Sequence, residues 1–429
     1  MPLDTALPEP RTSSTVPEPR AWRTVRFDEM ANSITDRVDK PSDAGVSYYV
    51  GLEHLDPESL KIRRWGTPDD VEATKLRFKP GDLIFGRRRA YQRKLAVAEF
   101  EGICSAHALV LRAREDVVLK DFLPFFMQGD IFYDRALQIS VGSLSPTINW
   151  TALARQEFAV PPLDEQRRIA EILWAADGSI ECAAHVCDSV VAAQSAMEES
   201  FICGGMPGWH AHHRATPIGS IPLEWECLPS AELVLEPPRN GLSPETNADG
   251  SGYPTLSIGA IRDGKVVTTG NVKHAIVTSS DAGRFRLGRG DVLIVRGNGN
   301  RNLVGRSGIV DVVPTDCFYP DLLIRMRFNP SRMLPRFANI QWNVRSVHER
   351  LLERAKSTNG IWKVNGQDLR QHLLAVPPIL EQESFLAQEA TFESARRQAN
   401  AQLTVLKGVK SQIMRELLSR PRNGLVPYV

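Results

Sequence analysis

Two stretches of the chain gather residue types suited to binding a polyanion. Gly86-Arg87-Arg88-Arg89-Ala90-Tyr91-Gln92-Arg93-Lys94 holds five cations and an aromatic ring, and Arg296-Gly297-Asn298-Gly299-Asn300-Arg301-Asn302-Leu303-Val304-Gly305-Arg306 mixes cations with amides and glycines. Arg and Lys neutralise phosphates, Arg can bond a guanine edge bidentately, and Asn can pair with an adenine edge. A basic run is often no more than a solvated face. Here, however, each run follows a Gly-Asp turn and an apolar strand, Gly81-Asp82-Leu83-Ile84 in one case and Gly290-Asp291-Val292-Leu293 in the other. Recurrence at an equivalent place favours a shared task. Residues 61–94 hold eleven Lys or Arg against four acids, and residues 284–306 hold six against one, so the formal net charge of +1 hides two basic regions. The expected contact residues are Arg87, Arg88, Arg89, Arg93 and Lys94 in the first loop, and Arg296, Asn298, Asn300, Arg301 and Arg306 in the second.

Signatures of catalysis are missing. Gly297-Asn298-Gly299 is not followed by Gly-Lys-Ser/Thr, so it is no nucleotide P-loop. The Asp/Asn-Pro-Pro-Tyr/Phe tetrad that would resemble an adenine methyltransferase loop does not occur, and Asp69, Glu72 and Lys75 lack nuclease spacing. His54, His107 and His274 have no acid or nucleophile partner close in sequence. A zinc site can be drawn from Cys182, His185, Cys187 and the His210, His212, His213 cluster, but no paired ligand spacing supports it. The six cysteines read as reduced structural thiols, and no metal is expected.

The loops must be positioned by something, and the strongest periodic signal in the chain supplies it. Ile169, Leu173, Ala176, Ile180, Ala183, Cys187, Val190, Gln194, Met197 and Phe201 alternate by four and three, which is the seam of a helix packed along its length on another helix. Adding 216 gives Phe385, Glu389, Phe392, Arg396, Ala399, Leu403, Leu406, Lys410, Ile413 and Leu417, a second seam interrupted by Glu389, Arg396 and Lys410. The duplication continues upstream, where Ala159-Val160-Pro161-Pro162-Leu163-Asp164-Glu165-Gln166 matches Ala375-Val376-Pro377-Pro378-Ile379-Leu380-Glu381-Gln382 at six of eight positions. Pro-Pro before an acidic first turn is good helix-start chemistry. Between the helices, the repeat pairs Cys104 and Leu109 to Arg112 with Cys317 and Leu322 to Arg325, pairs Leu123-Pro124 with Leu334-Pro335, and pairs Trp22 with Trp225.

A chain of 429 residues with 42% hydrophobic and 24% charged content is of ordinary globular composition and long enough for two or three domains. No run is apolar enough for a membrane span and no signal pattern opens the chain, so a cytoplasmic protein is expected. The expected layout is a flexible tail (1–20), a mixed α/β globule (21–162), a long helix (163–203), a Gly-, Pro- and His-rich linker (204–220), a second globule (221–378), a second long helix (379–420) and a short tail (421–429).

The arrangement resembles the specificity (S) subunit of Type I restriction-modification enzymes, from Trp22 to about Arg420. The resemblance rests on Ser145-Pro146-Thr147-Ile148-Asn149 leading to Val160-Pro161-Pro162-Leu163-Asp164-Glu165-Gln166-Arg167-Arg168-Ile169, and on Val376-Pro377-Pro378-Ile379-Leu380-Glu381-Gln382. It implies two target recognition domains of α/β (α+β) class, joined and separated by two long antiparallel coiled-coil helices in a pseudo-two-fold repeat. It also implies a subunit without catalysis or cofactor of its own. Such a subunit reads an asymmetric bipartite site in double-stranded DNA while holding two S-adenosylmethionine-dependent adenine methyltransferase subunits and, in the full complex, two ATP- and Mg-using restriction subunits. The interrupted second seam departs from the pattern and calls close pairing along that helix into question. Two other classes fit parts of the sequence: a coiled-coil scaffold whose basic loops serve only solubility, and an enzyme with a spatially assembled site.

Overall fold

The computed structural model describes residues 22–142, 145–244, 246, 247 and 250–419; both expected tails lie outside the described residues. The chain divides into two compact units, one formed by residues up to Ala183 together with those from Gln402, the other by Ala184–Ala401. Each long helix contributes to both units. The first runs over Leu163–Gly204 and the second over Ile379–Leu418.

In the first unit, strands Ala31–Ile34, Ala108–Ala113, Leu83–Gly86 and Leu95–Val97 form one antiparallel sheet in that order. A second sheet joins Arg37–Val38, Lys75–Phe78, Gly102–Ser105 and Tyr49–Val50, the last pair parallel. Arg23–Arg26 pairs with Glu157–Val160, the strand that leads into the first helix. The core is aromatic: Phe27, Phe85, Phe126, Phe132 and Phe158 are all buried, and Ile169, Leu173 and Leu418 from the helices complete it.

The second unit repeats the plan with a larger sheet. Its six strands run in the order Val234–Asn240, Leu323–Phe328, Val292–Val295, Ser307–Ile309, Lys265–Val266, Ile261–Arg262, and Glu226–Pro229 pairs with Leu373–Val376 ahead of the second helix. In both units a buried aspartate caps the central strand. Arg112 bonds Asp82 through Nε and Nη2 at 2.7 and 3.0 Å, and Arg327 bonds Asp291 in the same way at 2.6 and 3.2 Å. Gly81 and Gly290, the residues before them, both sit at φ +87°, a conformation that needs glycine.

That register corrects the sequence alignment of the halves. Leu83 faces Leu111 and Val292 faces Met326, so the counterpart of Arg112 is Arg327 rather than Arg325. Arg325 is instead buried and bonded to Glu236 at 2.8 Å. By the same offset Leu334 corresponds to Leu119, one helical turn before the expected Leu123. The stretch 204–220, expected as an irregular linker, holds most of a hairpin of His213–Thr216 with Gly219–Pro222. Its His210 bridges Glu224 at 3.0 Å and Glu381 at 2.9 Å, and Glu381 also accepts from the Trp225 indole. His210, drawn as a possible metal ligand, is therefore committed to two carboxylates.

Within each unit the two helices run antiparallel, and no seam residue is exposed. Ile169, Leu173, Phe201 and Phe385 are buried, while Ile180, Val190, Met197, Phe392, Leu403, Leu406, Ile413 and Leu417 are partly buried. In the second unit the Phe201 and Phe385 rings lie 4.4 Å apart. Two of the three polar interruptions, Lys410 and Glu389, have partners across the seam. Lys410 is buried, paired with Asp177 and set over the Phe125 ring at 5.2 Å. Glu389 is buried and accepts from Gln194 Nε2 at 2.8 Å, and the same amide donates to Glu198 at 3.2 Å. Such pairs select one register, since any slip leaves a charge buried alone.

Candidate nucleic-acid interface

Each basic loop leaves the end of a central strand and is clamped from the same direction. In the first unit Ile148 N donates to Arg87 O at 2.9 Å, Arg89 N to Pro146 O at 2.8 Å, and Arg88 Nε to Ser145 Oγ at 2.9 Å. The Ser-Pro-Thr-Ile segment is thus the backing of the loop. In the second unit Val364 N donates to Arg296 O at 2.9 Å, and Gly297–Asn298 pairs with the strand Ile361–Lys363. Ile148 and Val364 each precede an asparagine, Asn149 and Asn365, separated by the same 216 residues as the helix repeat, so the two clamps are one feature used twice.

Side chains within the loops divide into two groups. Arg93 is held by Asp130 at 2.7 Å and stacks on Tyr133 at 5.0 Å, and Lys94 donates to Leu52 O at 2.5 Å. Arg87, half-buried, donates to Ala106 O at 3.0 Å. Arg296 reaches Asp321 O at 3.3 Å, and Arg306 donates to Asn343 O at 2.8 Å while burial lowers its pKa. These five brace the loops. Arg88 and Arg89 are exposed, together with Tyr91. Arg89 and Arg93 flank the short turn Ala90–Gln92 at φ +55° and +50°, a left-handed conformation that is costly for non-glycine residues and held here by the surrounding bonds.

In the second loop the exposed surface is amide-rich. Asn298 Oδ1 accepts from Asn300 N at 2.9 Å and Asn300 Oδ1 from Asn302 N at 3.0 Å, so successive side-chain carbonyls fix the turn. Arg301 lies over Trp362 at 5.2 Å and bonds Leu352 O at 3.2 Å, which orients an exposed guanidinium.

Sequence reasoning missed part of this surface. The hairpin Lys356–Thr358 with Ile361–Lys363 sets Lys356 directly opposite Lys363, both exposed, beside Gly297. Like charges facing across a strand pair repel, and an anion between them would relieve the repulsion. The two lysines are seven residues apart, so only the pairing reveals them. His107 was also missed; burial first, then Arg88 and Arg87, keep its pKa below the usual value, so it is neutral beside the first loop. The arrangement offers phosphate neutralisation in both units and base-edge hydrogen bonding chiefly in the second.

Among the described residues no group of His, Cys, Asp and Glu could hold a metal ion, and no helix is long and apolar enough to cross a membrane.

Comparison with known proteins places these features. Residues 19–185 match the family model of the Type I restriction modification DNA specificity domain. The chain is 25% identical over 333 residues to the EcoKI specificity subunit of Escherichia coli strain K12, which spans 77% of this chain and 68% of that protein. It is 28% identical over 165 residues to the Escherichia coli EcoDI specificity subunit, spanning 37% of this chain and 36% of the relative. A solved chain from a study of complex assembly and conformational transition of the type I R-M system superimposes with a TM-score of 0.59 at 17% identity, covering 93% of this chain and 98% of that one.

Proposed function

We propose that this chain is a specificity subunit of a Type I restriction-modification enzyme, serving DNA sequence recognition, and that it reads an asymmetric bipartite site in double-stranded DNA. In this reading each unit addresses one half-site. The observation that carries it is the recurrence of one clamped loop in both units with different exposed chemistry: Arg88 and Arg89 in the first, Asn300 and Arg301 with half-buried Asn298 beside Lys356 and Lys363 in the second. Equal scaffolds with unequal surfaces suit two unlike half-sites. The chain supplies recognition without catalysis of its own. S-adenosylmethionine, ATP and Mg belong in this reading to its partners, two adenine methyltransferase subunits and two restriction subunits, for which the paired helices are the scaffold.

The test is a salt series of binding to duplex DNA, with a methylome of cells that express the chain with its methyltransferase partner. Affinity should fall steeply with salt and methylation should appear at one split motif with unlike halves. Salt-independent or sequence-blind behaviour would overturn the proposal and favour a scaffold that uses its basic loops for solubility alone.

A further inference from the structure

We infer that Gln166 and Gln382 are positioning residues, each latching one recognition loop to the start of its long helix. The inference rests on the proposed reading of DNA by those loops. Neither side chain has any exposed surface. Gln166 Nε2 donates to Pro161 O at 2.9 Å and Val117 O at 3.1 Å, while its Oε1 accepts from Leu119 N at 2.9 Å. Gln382 makes the same three bonds in the second unit, to Pro377 O at 2.8 Å, Arg332 O at 2.9 Å and Leu334 N at 2.8 Å. Two donors and one acceptor meet three backbone groups of complementary sense, which no other side chain of that length provides.

The socket lies on a direct route to the loop. Residues 114–119 follow the strand Ala108–Ala113, whose Arg112 clamps Asp82 and which pairs in register with Leu83–Gly86, the strand that runs into Arg87 to Lys94. Residues 329–334 follow Leu323–Phe328, whose Arg327 clamps Asp291 and which pairs with Val292–Val295, the strand that runs into Arg296 to Arg306. Each glutamine therefore fixes the turn ending the strand on which loop delivery depends. Its third bond ties that turn to the proline carbonyl five residues before the glutamine in the helix entry. Pairwise hydrogen bonds confer precision only when every member is satisfied, and both sockets are. The remainder of the helix entry differs between the halves, where Asp164 stands opposite Leu380, yet this triad of bonds is unchanged.

Gln166→Glu and Gln382→Glu keep the shape but exchange two donors for an acceptor facing two carbonyls. The full-length chain is followed by hydrogen exchange and by competition among duplexes altered in one half-site at a time, alone and with its methyltransferase partner. For Gln166→Glu, faster exchange is expected in residues 87–94 and 114–119, with 296–306 unchanged, and a roughly tenfold loss of discrimination at one half-site only. Gln382→Glu should show the mirror result at the other half-site. Lowering the pH should restore part of each loss, as the protonated carboxyl regains one donor, while wild type should lack that recovery. Gln→Met at each position covers the case in which the buried carboxylate unfolds a unit, and should give the same half-site selectivity without rescue by acid. Equal losses at both half-sites, or faster exchange spread over both loops by either substitution, would overturn the latch. A wild-type chain without sequence preference would instead overturn the DNA reading, and the exchange map would then decide the latch by itself.

Discussion

Five of the ten residues expected to contact DNA, Arg87, Arg93, Lys94, Arg296 and Arg306, are half-buried and brace the loops, and this separates two kinds of substitution. Arg88→Ala and Arg89→Ala remove exposed charge, so each should weaken DNA binding and reduce the slope of log affinity against log salt by about one. Arg93→Ala removes the Asp130 ion pair and the Tyr133 stack, and should lower thermal stability of the first unit with a smaller change of slope. Equal slope changes from all three would show that Arg93 leaves its pair to meet phosphate. Two further residues give the second unit a pH dependence. Burial opposes charge on His210, but Glu381 and Glu224 outweigh it and raise its pKa above the ordinary 6.5; the stability it contributes is full below that value and lost as pH rises through the raised one. Burial, then Glu389, raises Glu198 to about 7, so its ionisation on the way from 4.5 to about 7 also costs stability. Both act in one direction, but at different ends. His210→Gln should be less stable than wild type near pH ~5.5 and converge with it near pH ~8.5, whereas Glu198→Gln should exceed wild type near pH ~8 and converge near pH ~4. Thermal melts across that range decide each claim.

At the level of elements, the helices and central strands were legible because period and apolar run length are local properties. The Gly-Asp turns and the Pro-Pro helix starts were legible for the same reason. Strand register was not: runs such as Leu109-Val110-Leu111 and Leu322-Leu323-Ile324 align almost equally well two residues apart, and only the Asp82–Arg112 and Asp291–Arg327 pairs fix the choice. Nor could the sequence tell which polar seam residues are partnered, since Asp177 and Lys410 are 233 positions apart. Their pairing changes what Lys410 is expected to do. Lys410→Met strands Asp177 beside an apolar seam and should cost roughly 3–5 kcal/mol of stability, the cost of breaking a buried pair. Adding Asp177→Leu should recover most of that loss. A single substitution that leaves the denaturation midpoint unchanged would mean the pair is dispensable even for register.

For the whole molecule, the seam passes from one unit to the other after Ala183 on the first helix and after Ala401 on the second. Below that point Asp177 meets Lys410, and above it Gln194 meets Glu389, so each unit keeps its own polar pair. Ala183 and Ala401 are thus the last residues of each helix before it enters the other unit. A heptad inserted after each of them would preserve the seam's period and leave both polar pairs, both glutamine sockets and both loops intact. Each helix would gain roughly 10 Å, equivalent to about three base pairs of duplex if the whole length is transmitted. If the helices set the separation of the half-sites, the doubly lengthened chain assayed with its methyltransferase partner should methylate the same two half-sites about three base pairs further apart. A single insertion should instead lower stability, because one helix then presents seven residues with no partner. A folded, active double variant that retains the original spacing would show that the partners, and not the helices, hold the two readers at their distance.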